Sequence, residues 1–240
     1  MPCLLFVGSS PGVLATVAVV AGLRCSVEIA PSIQEALDRA DETRPNLVVI
    51  EARSPDFELI YLIEALKTLH PGCPLIVTAG EPPTSLIREL TGLSIDILFG
   101  KPVPMIQLLE RIMSRMGLER LRLSRHPAKA VQYIAEQYAQ AITLPTIAAA
   151  VGVSASHLAD QFRKDLGMPV KEYLRKARIE VVKHLLQSTD AKIEAIAFQA
   201  GFSDASHLSR LFQEYAGMRP GLYRRFSVRP APLKGARSIS

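Results

Sequence analysis

Residues 147–158 read IAAAVGVSASHL, and residues 196–208 read IAFQAGFSDASHL. The likeness continues to Phe162 and Gly167-Met168 in the first copy, and to Phe212 and Gly217-Met218 in the second. The offset is 49 residues up to the serine and 50 after it, so one residue is inserted; the pairs Tyr173/Tyr223 and Arg175/Arg225 keep the offset of 50. A repeat of this length requires each copy to be one supersecondary unit packed against its twin. Each copy predicts a short apolar helix (147–151 and 196–200), then a glycine that accepts a left-handed turn. Val153 or Phe202 fills the angle, and Ser154 or Ser203 caps a second helix. That helix carries a buried stripe: Leu158 and Phe162 in one copy, Leu208, Leu211 and Phe212 in the other. This is the layout of a helix-turn-helix, present twice. Residues 172–187 read as a long helix joining the two units.

The stretch AGFSDASHLSRLF at residues 200–212, followed by Gly217-Met-Arg-Pro220 and Tyr223-Arg-Arg225, closely resembles the signature of the AraC/XylS family DNA-binding domain. The resemblance covers about residues 127–227. It implies two recognition helices entering successive major-groove segments on one face of double-stranded DNA. It carries base readout to Ser156, Ala159 and Asp160 in the first recognition helix, and to Ala205, Ser206, Ser209 and Arg210 in the second. Arg210 has the guanidinium that takes guanine O6 and N7 together, while Asp160, unusual against a polyanion, either accepts from a cytosine amino group or is simply solvated. The second helix is therefore expected to dominate specificity. Arg163, Lys164, Arg178, Ser203 and Arg224 are the phosphate-contact candidates. His157 and His207 recur within Ser-His-Leu without other ligand types nearby, which favours packing or a phosphate contact over metal binding.

The first half follows another rhythm. Short apolar runs at 3–7, 25–29, 47–50, 75–77 and 95–99 alternate with stretches of helical length. Ser32 is placed to cap a helix whose apolar stripe is Ile33, Ala36, Leu37 and Ala40. Five such β-α units predict a parallel sheet with helices on both faces. Functional groups in these sheets collect at the carboxyl ends of the strands. Here those ends carry Gly8-Ser9-Ser10, Glu51, Thr78-Ala79 and Lys101-Pro102.

These positions resemble the receiver domain of two-component response regulators. Thr78 falls on the family's switch Thr/Ser, Lys101 on its lysine, and Glu51 on its phosphoacceptor aspartate. The acidic pair that holds Mg²⁺ in the family is replaced by Gly8-Ser9-Ser10, although a hard dication needs carboxylate oxygens. Without the metal, phosphoryl transfer loses its charge neutralisation. The expectation is a pseudo-receiver that takes no phosphate, with Glu51 pairing with Lys101 to hold one conformation or surviving as a remnant. A second reading has residues 8–12, glycine- and serine-rich before a helix, cradling the phosphate of a small anion or nucleotide.

The expected architecture is α/β plus all-α: a flavodoxin-like (βα)5 receiver-like domain at 1–118, a linker at 119–130, an all-helical double helix-turn-helix domain at 131–227, and a basic tail at 228–240. Charge follows this division. Residues 1–120 carry 10 Lys and Arg against 14 Asp and Glu, and residues 121–240 carry 18 against 9. An acidic control module joined to a polyanion-binding module fits that asymmetry. Three cysteines without C-x-x-C spacing suggest neither a disulfide framework nor zinc, and point to a reducing cytoplasm. No apolar run is long enough to span a bilayer. No cofactor and no enzymatic constellation is expected. The expected partners are double-stranded DNA, a second copy bound through the receiver-like half, and RNA polymerase, but no membrane.

Overall fold

The computed structural model describes residues 2–21, 25–52, 57–80, 84–93, 95–100, 102–117 and 123–227. The first half alternates β1 (Cys3–Val7), α1 (Pro11–Ala21), β2 (Ser26–Ala30), α2 (Ile33–Thr43), β3 (Leu47–Ala52), α3 (Phe57–Leu69), β4 (Leu75–Ala79), α4 (Thr84–Thr91), β5 (Asp96–Phe99) and α5 (Met105–Arg115). The five strands form one parallel sheet in the order β2-β1-β3-β4-β5. This is the flavodoxin-like winding, whose order reverses between β1 and β3. Strands β1, β3 and β4 are almost entirely buried. Their continuous apolar runs are those of strands covered on both faces.

The two faces of the sheet have separate cores. Leu5, Val48, Ile50 and Val77 pack under α2 and α3 with Ala36, Leu62 and Ile63. Leu4, Phe6, Val49 and Ile76 pack on the other side with Leu14 and Val17 of α1 and Leu108 and Ile112 of α5. Full burial of each large apolar side chain stabilises by about 1.5–3 kcal/mol. Ser32 caps α2 as expected, its Oγ accepting from the Glu35 N–H at 3.3 Å.

The second half is helical: α6 (Arg125–Gln137), α7 (Leu144–Val151), α8 (Ala155–Leu166), α9 (Val170–Ser188), α10 (Ile193–Gln199), α11 (Ala205–Ala216) and α12 (Pro220–Ser227). Helix α6 begins within the stretch expected to be linker, at Arg125, and buries Pro127, Ala128 and Ala130. Ser124, just before it, donates its N–H and its hydroxyl to Asp165 of α8, both at 2.6 Å. Apolar spacing within 125–137 makes that segment a structural helix, although its basic residues and Pro127 suggested a connector. The expected tail at 228–240 and the first residues of the expected linker lie outside the described residues. No described helix is long and apolar enough to cross a membrane.

Candidate nucleic-acid interface and receiver-like site

Both helix-turn-helix units have the same corner. The Val153 N–H reaches Ala148 O at 3.0 Å, and the Phe202 N–H reaches Ala197 O at 2.9 Å. The turn glycines have φ of +82° at Gly152 and +80° at Gly201. They differ in their surroundings: a Cβ on Gly152 would meet open space, whereas one on Gly201 would lie 2.7 Å from Tyr138 O. Ser154 caps α8 by accepting from the His157 N–H at 3.2 Å. In the second copy the inserted residue is itself the cap. Asp204 accepts from the His207 N–H at 2.7 Å, and Ser203 donates its hydroxyl to Asp204. The expectation that Ser203 caps this helix is corrected accordingly: the insertion moves the capping position one residue along. Those bonds hold the Asp204 carboxyl below its usual range, the His207 N–H contributing most and Ser203 next.

The capped helices present matching faces. On α8, Leu158, Phe162 and Leu166 are buried, while Ser156, Asp160, Arg163 and Lys164 are exposed and Ala159 is half-buried. On α11, Leu208, Leu211 and Phe212 are buried, Ser206 and Arg210 are exposed, and Ala205 and Ser209 are half-buried. The positions expected to read bases therefore lie on the solvent side of both helices. Residues three and four apart share a helix face, so Ser156, Asp160 and Arg163 form one stripe and Ser206 and Arg210 part of another. Ser203 is exposed beside the N-terminus of α11.

Two of the phosphate candidates also bond main-chain carbonyls of this chain. Arg178 donates from Nε to Tyr138 O at 2.9 Å and from a terminal nitrogen to Gln140 O at 2.7 Å. Burial also lowers its pKa. Arg224 donates to Ala191 O at 2.6 Å. Both guanidiniums close chain corners and are half-buried. Periodicity flagged their charge but carried no sign of the carbonyls they meet. The histidines pack: His157 meets the His126 ring edge-on at 5.6 Å, and His207 meets Phe202 at the same distance.

At the carboxyl edge of the sheet, Glu51 sits at the end of β3, in register with Thr78 on β4. Its Oε2 accepts from the Ser10 N–H at 2.9 Å and the Ser9 N–H at 3.3 Å. A Cβ on Gly8 would lie 2.8 Å from the same oxygen. The loop thus closes tightly on the carboxylate, and the two N–H groups that lead into α1 are taken by a side chain of this chain. Thr78 is fully buried, and its Oγ1 has no hydrogen-bond partner among the described residues. Lys101 lies outside the described residues, so its expected pairing with Glu51 does too. Beside Glu51, a cavity of about 650 Å³ is lined by Gly8, Ser9, Ser32, Gln34, Glu58 and Tyr61 among others. Burial pushes the Cys25 and Cys73 thiols up to about 11, which leaves them poor nucleophiles.

Residues 147–225 match a family described as a helix-turn-helix domain. The melibiose operon regulatory protein of Escherichia coli (strain K12) is 37% identical over 95 residues, which are 40% of this chain and 32% of that protein. The chain spans about a third of the length of the curated relatives it matches. Among solved structures, the C-terminal domain of AraT, a response regulator from Geobacillus stearothermophilus, is 30% identical. That match covers 48% of this chain and 96% of AraT's domain, with a TM-score of 0.46. A CheY-like response regulator receiver domain protein from Methanospirillum hungatei JF-1 is 25% identical over 49% of this chain and 94% of its own, with a TM-score of 0.44. Residues 147–225 are a helix-turn-helix domain of the AraC/XylS type, carried behind a receiver-like α/β half.

Proposed function

We propose that the chain is a sequence-specific DNA-binding transcription regulator whose receiver-like half works without phosphate. The observation that carries the first part is the pair of capped helices, α8 and α11, set on one long helix with polar faces turned to solvent. Base readout is assigned to Ser156, Ala159, Asp160, Ala205, Ser206, Ser209 and Arg210, and phosphate contact to Arg163, Lys164, Arg178, Ser203 and Arg224. Duplexes selected from random DNA by the full chain should converge on two segments about one helical turn apart. Failure of any sequence to enrich would sink this reading.

Phosphate independence rests on Glu51. The position holds Glu instead of Asp, the loop opposite lacks the acids a Mg²⁺ ion needs, and the carboxylate already binds the Ser9 and Ser10 N–H groups. A small-molecule phosphodonor with Mg²⁺ should leave the protein unshifted on a phosphate-affinity gel. A shifted band that disappears in Glu51→Gln would overturn this part. The competing reading, a sensor with an anion or nucleotide phosphate at residues 8–12, has the nearby cavity in its favour. Against it stand Glu51 on the loop N–H groups and a second carboxylate, Glu58, in the cavity wall. A shift in thermal midpoint with nucleotides or flavins would favour the sensor. Receptor-like binding, not enzymatic turnover, is the role assigned to the whole. A homodimer through the receiver-like half and contact with RNA polymerase complete the reading, and sedimentation of the full chain tests the first.

A further inference from the structure

Helix α1 has no polar face: among residues 11–21 (PGVLATVAVVA) Thr16 is the single polar side chain. A helix apolar all round is buried all round, and α1 belongs to two cores at once. Leu14 and Val17 pack into the sheet with Phe6 and Val49. Ala15 and Val19 join the core of the DNA-binding half, with Leu109 and Met113 of α5 beside them. The contact of α1 with α9 is the most extensive between any two described elements, and α6 lies against α1 as well. At its N-terminal end the fit is backbone to backbone, since a Cβ on Gly12 would fall 1.8 Å from Ala135 O of α6.

The internal repeat singles out one residue in this contact. Tyr173 and Tyr223 are equivalent, and each packs edge-on against the phenylalanine of its own recognition helix: Phe162 at 5.4 Å and Phe212 at 5.3 Å. The Tyr223 hydroxyl accepts from Gln187 Nε2 at 3.3 Å, within the DNA-binding half. Tyr173 is wholly buried. Burial pushes its phenol pKa up, and the opposing influence is the hydroxyl of Thr16 on α1. The Tyr173 hydroxyl has no hydrogen-bond partner among the described residues. One continuous line of contacts therefore runs from Glu51, through the Ser9 and Ser10 N–H groups into α1, across the packing of α1 on α9 to Tyr173, and on to Phe162 of α8.

We propose that α1 is a fixed brace through which the receiver-like half positions the first recognition helix, with Glu51 as the permanent anchor of its N-terminal turn. The second recognition helix borders the receiver-like half only at its C-terminal end among the described residues, where Tyr215 lines a groove with Val19 and Val27, and its aromatic pair is held within its own half. The DNA-binding consequence rests on the function proposed above; the brace itself does not. An interface this apolar holds two domains as one body rather than allowing hinge motion.

Gly12→Ala in the full-length protein tests this, because the two outcomes have opposite signs. In a helix facing solvent, Ala is more favourable than Gly, so an undocked α1 would be stabilised. In the brace, the added methyl meets the Ala135 carbonyl. The expected result is a lower thermal midpoint, with amide exchange in α8 accelerating roughly tenfold or more while α11 is unchanged. A raised midpoint with unaltered exchange in α8 would overturn the brace. Should that variant fail to fold, Glu51→Ala, in the half-exposed rim of the sheet, replaces it. Faster exchange in α1 and α8 relative to α11 supports the anchor, and equal change in both recognition helices, or none, refutes it. With a duplex selected by the parent protein, weakened contact should be confined to the segment bound by α8. If exchange responds as expected but no duplex is ever selected, the brace stands and the DNA-binding reading fails.

Discussion

The first and second helix-turn-helix units share a corner, a glycine turn and an aromatic pair, yet they are supported from different sides. Tyr173 of the first lies wholly buried on α9, the helix packed against α1 of the other half, whereas Tyr223 of the second accepts from Gln187 nearby. Ser154 caps the first recognition helix, and Asp204 the second. Gly152 stands in the open, while Gly201 presses on the Tyr138 carbonyl, the same corner that Arg178 ties down. A repeat thus conserves the local mechanics of each unit while each copy acquires its own tertiary partners. Equivalent substitutions in the two copies should give unequal results.

The largest inequality is expected at the turn glycines. Gly152→Ala meets only the left-handed backbone penalty, about 1–2 kcal/mol. Gly201→Ala adds a clash with main chain that has nowhere to retreat, for a total of about 2–5 kcal/mol. Denaturant unfolding of both variants measures this, and equal losses would erase the distinction between the two corners. Next comes the reading surface. Arg210→Ala should cost about 1–3 kcal/mol on a selected duplex and relax one base position. Asp160→Ala should change affinity by under about 1 kcal/mol, because the base contact it loses is offset by the removal of a charge that faces a polyanion. Competition binding against random DNA decides it, since equal loss on both DNAs would reduce Arg210 to a backbone contact.

The smallest effect separates the caps by pH. The folded-state pKa of Asp204 is depressed, so its cap contributes stability above the ordinary aspartate range. That contribution is lost as pH falls through the lowered value. Ser154 does not titrate. The stability gap between the parent and Asp204→Asn should therefore close on acidification, while the gap for Ser154→Ala stays constant. Thermal midpoints taken from neutral pH down to about 3 test it; parallel behaviour of the two variants would remove the electrostatic part of the second cap.

Much of this was legible in the chain, because it depends on neighbours in sequence. Periodicity located the five strands and the paired helices, and the repeat located both turns. Glycine at 152 and 201 announced left-handed corners, and the register of apolar runs put Glu51 and Thr78 at one edge of the sheet. The exposed stripes on α8 and α11 followed from the buried ones. The capping shift to Asp204 was visible as an inserted residue, but its consequence was not, since Ser203 and Asp204 are both competent caps and only backbone geometry selects between them.

What the sequence could not settle depends on groups distant along the chain. Nothing local marks the Arg178 and Arg224 guanidiniums as partners of the Tyr138, Gln140 and Ala191 carbonyls. The Ser9 and Ser10 N–H groups, a candidate phosphate cradle by composition, prove to be occupied by Glu51 from 41 and 42 residues away. The sequence by itself determined the two architectures and which faces are polar, because hydrophobic spacing acts within a few residues. Only the tertiary structure decided that α1 is shared by both halves, since an apolar helix states that it must be buried but not against what.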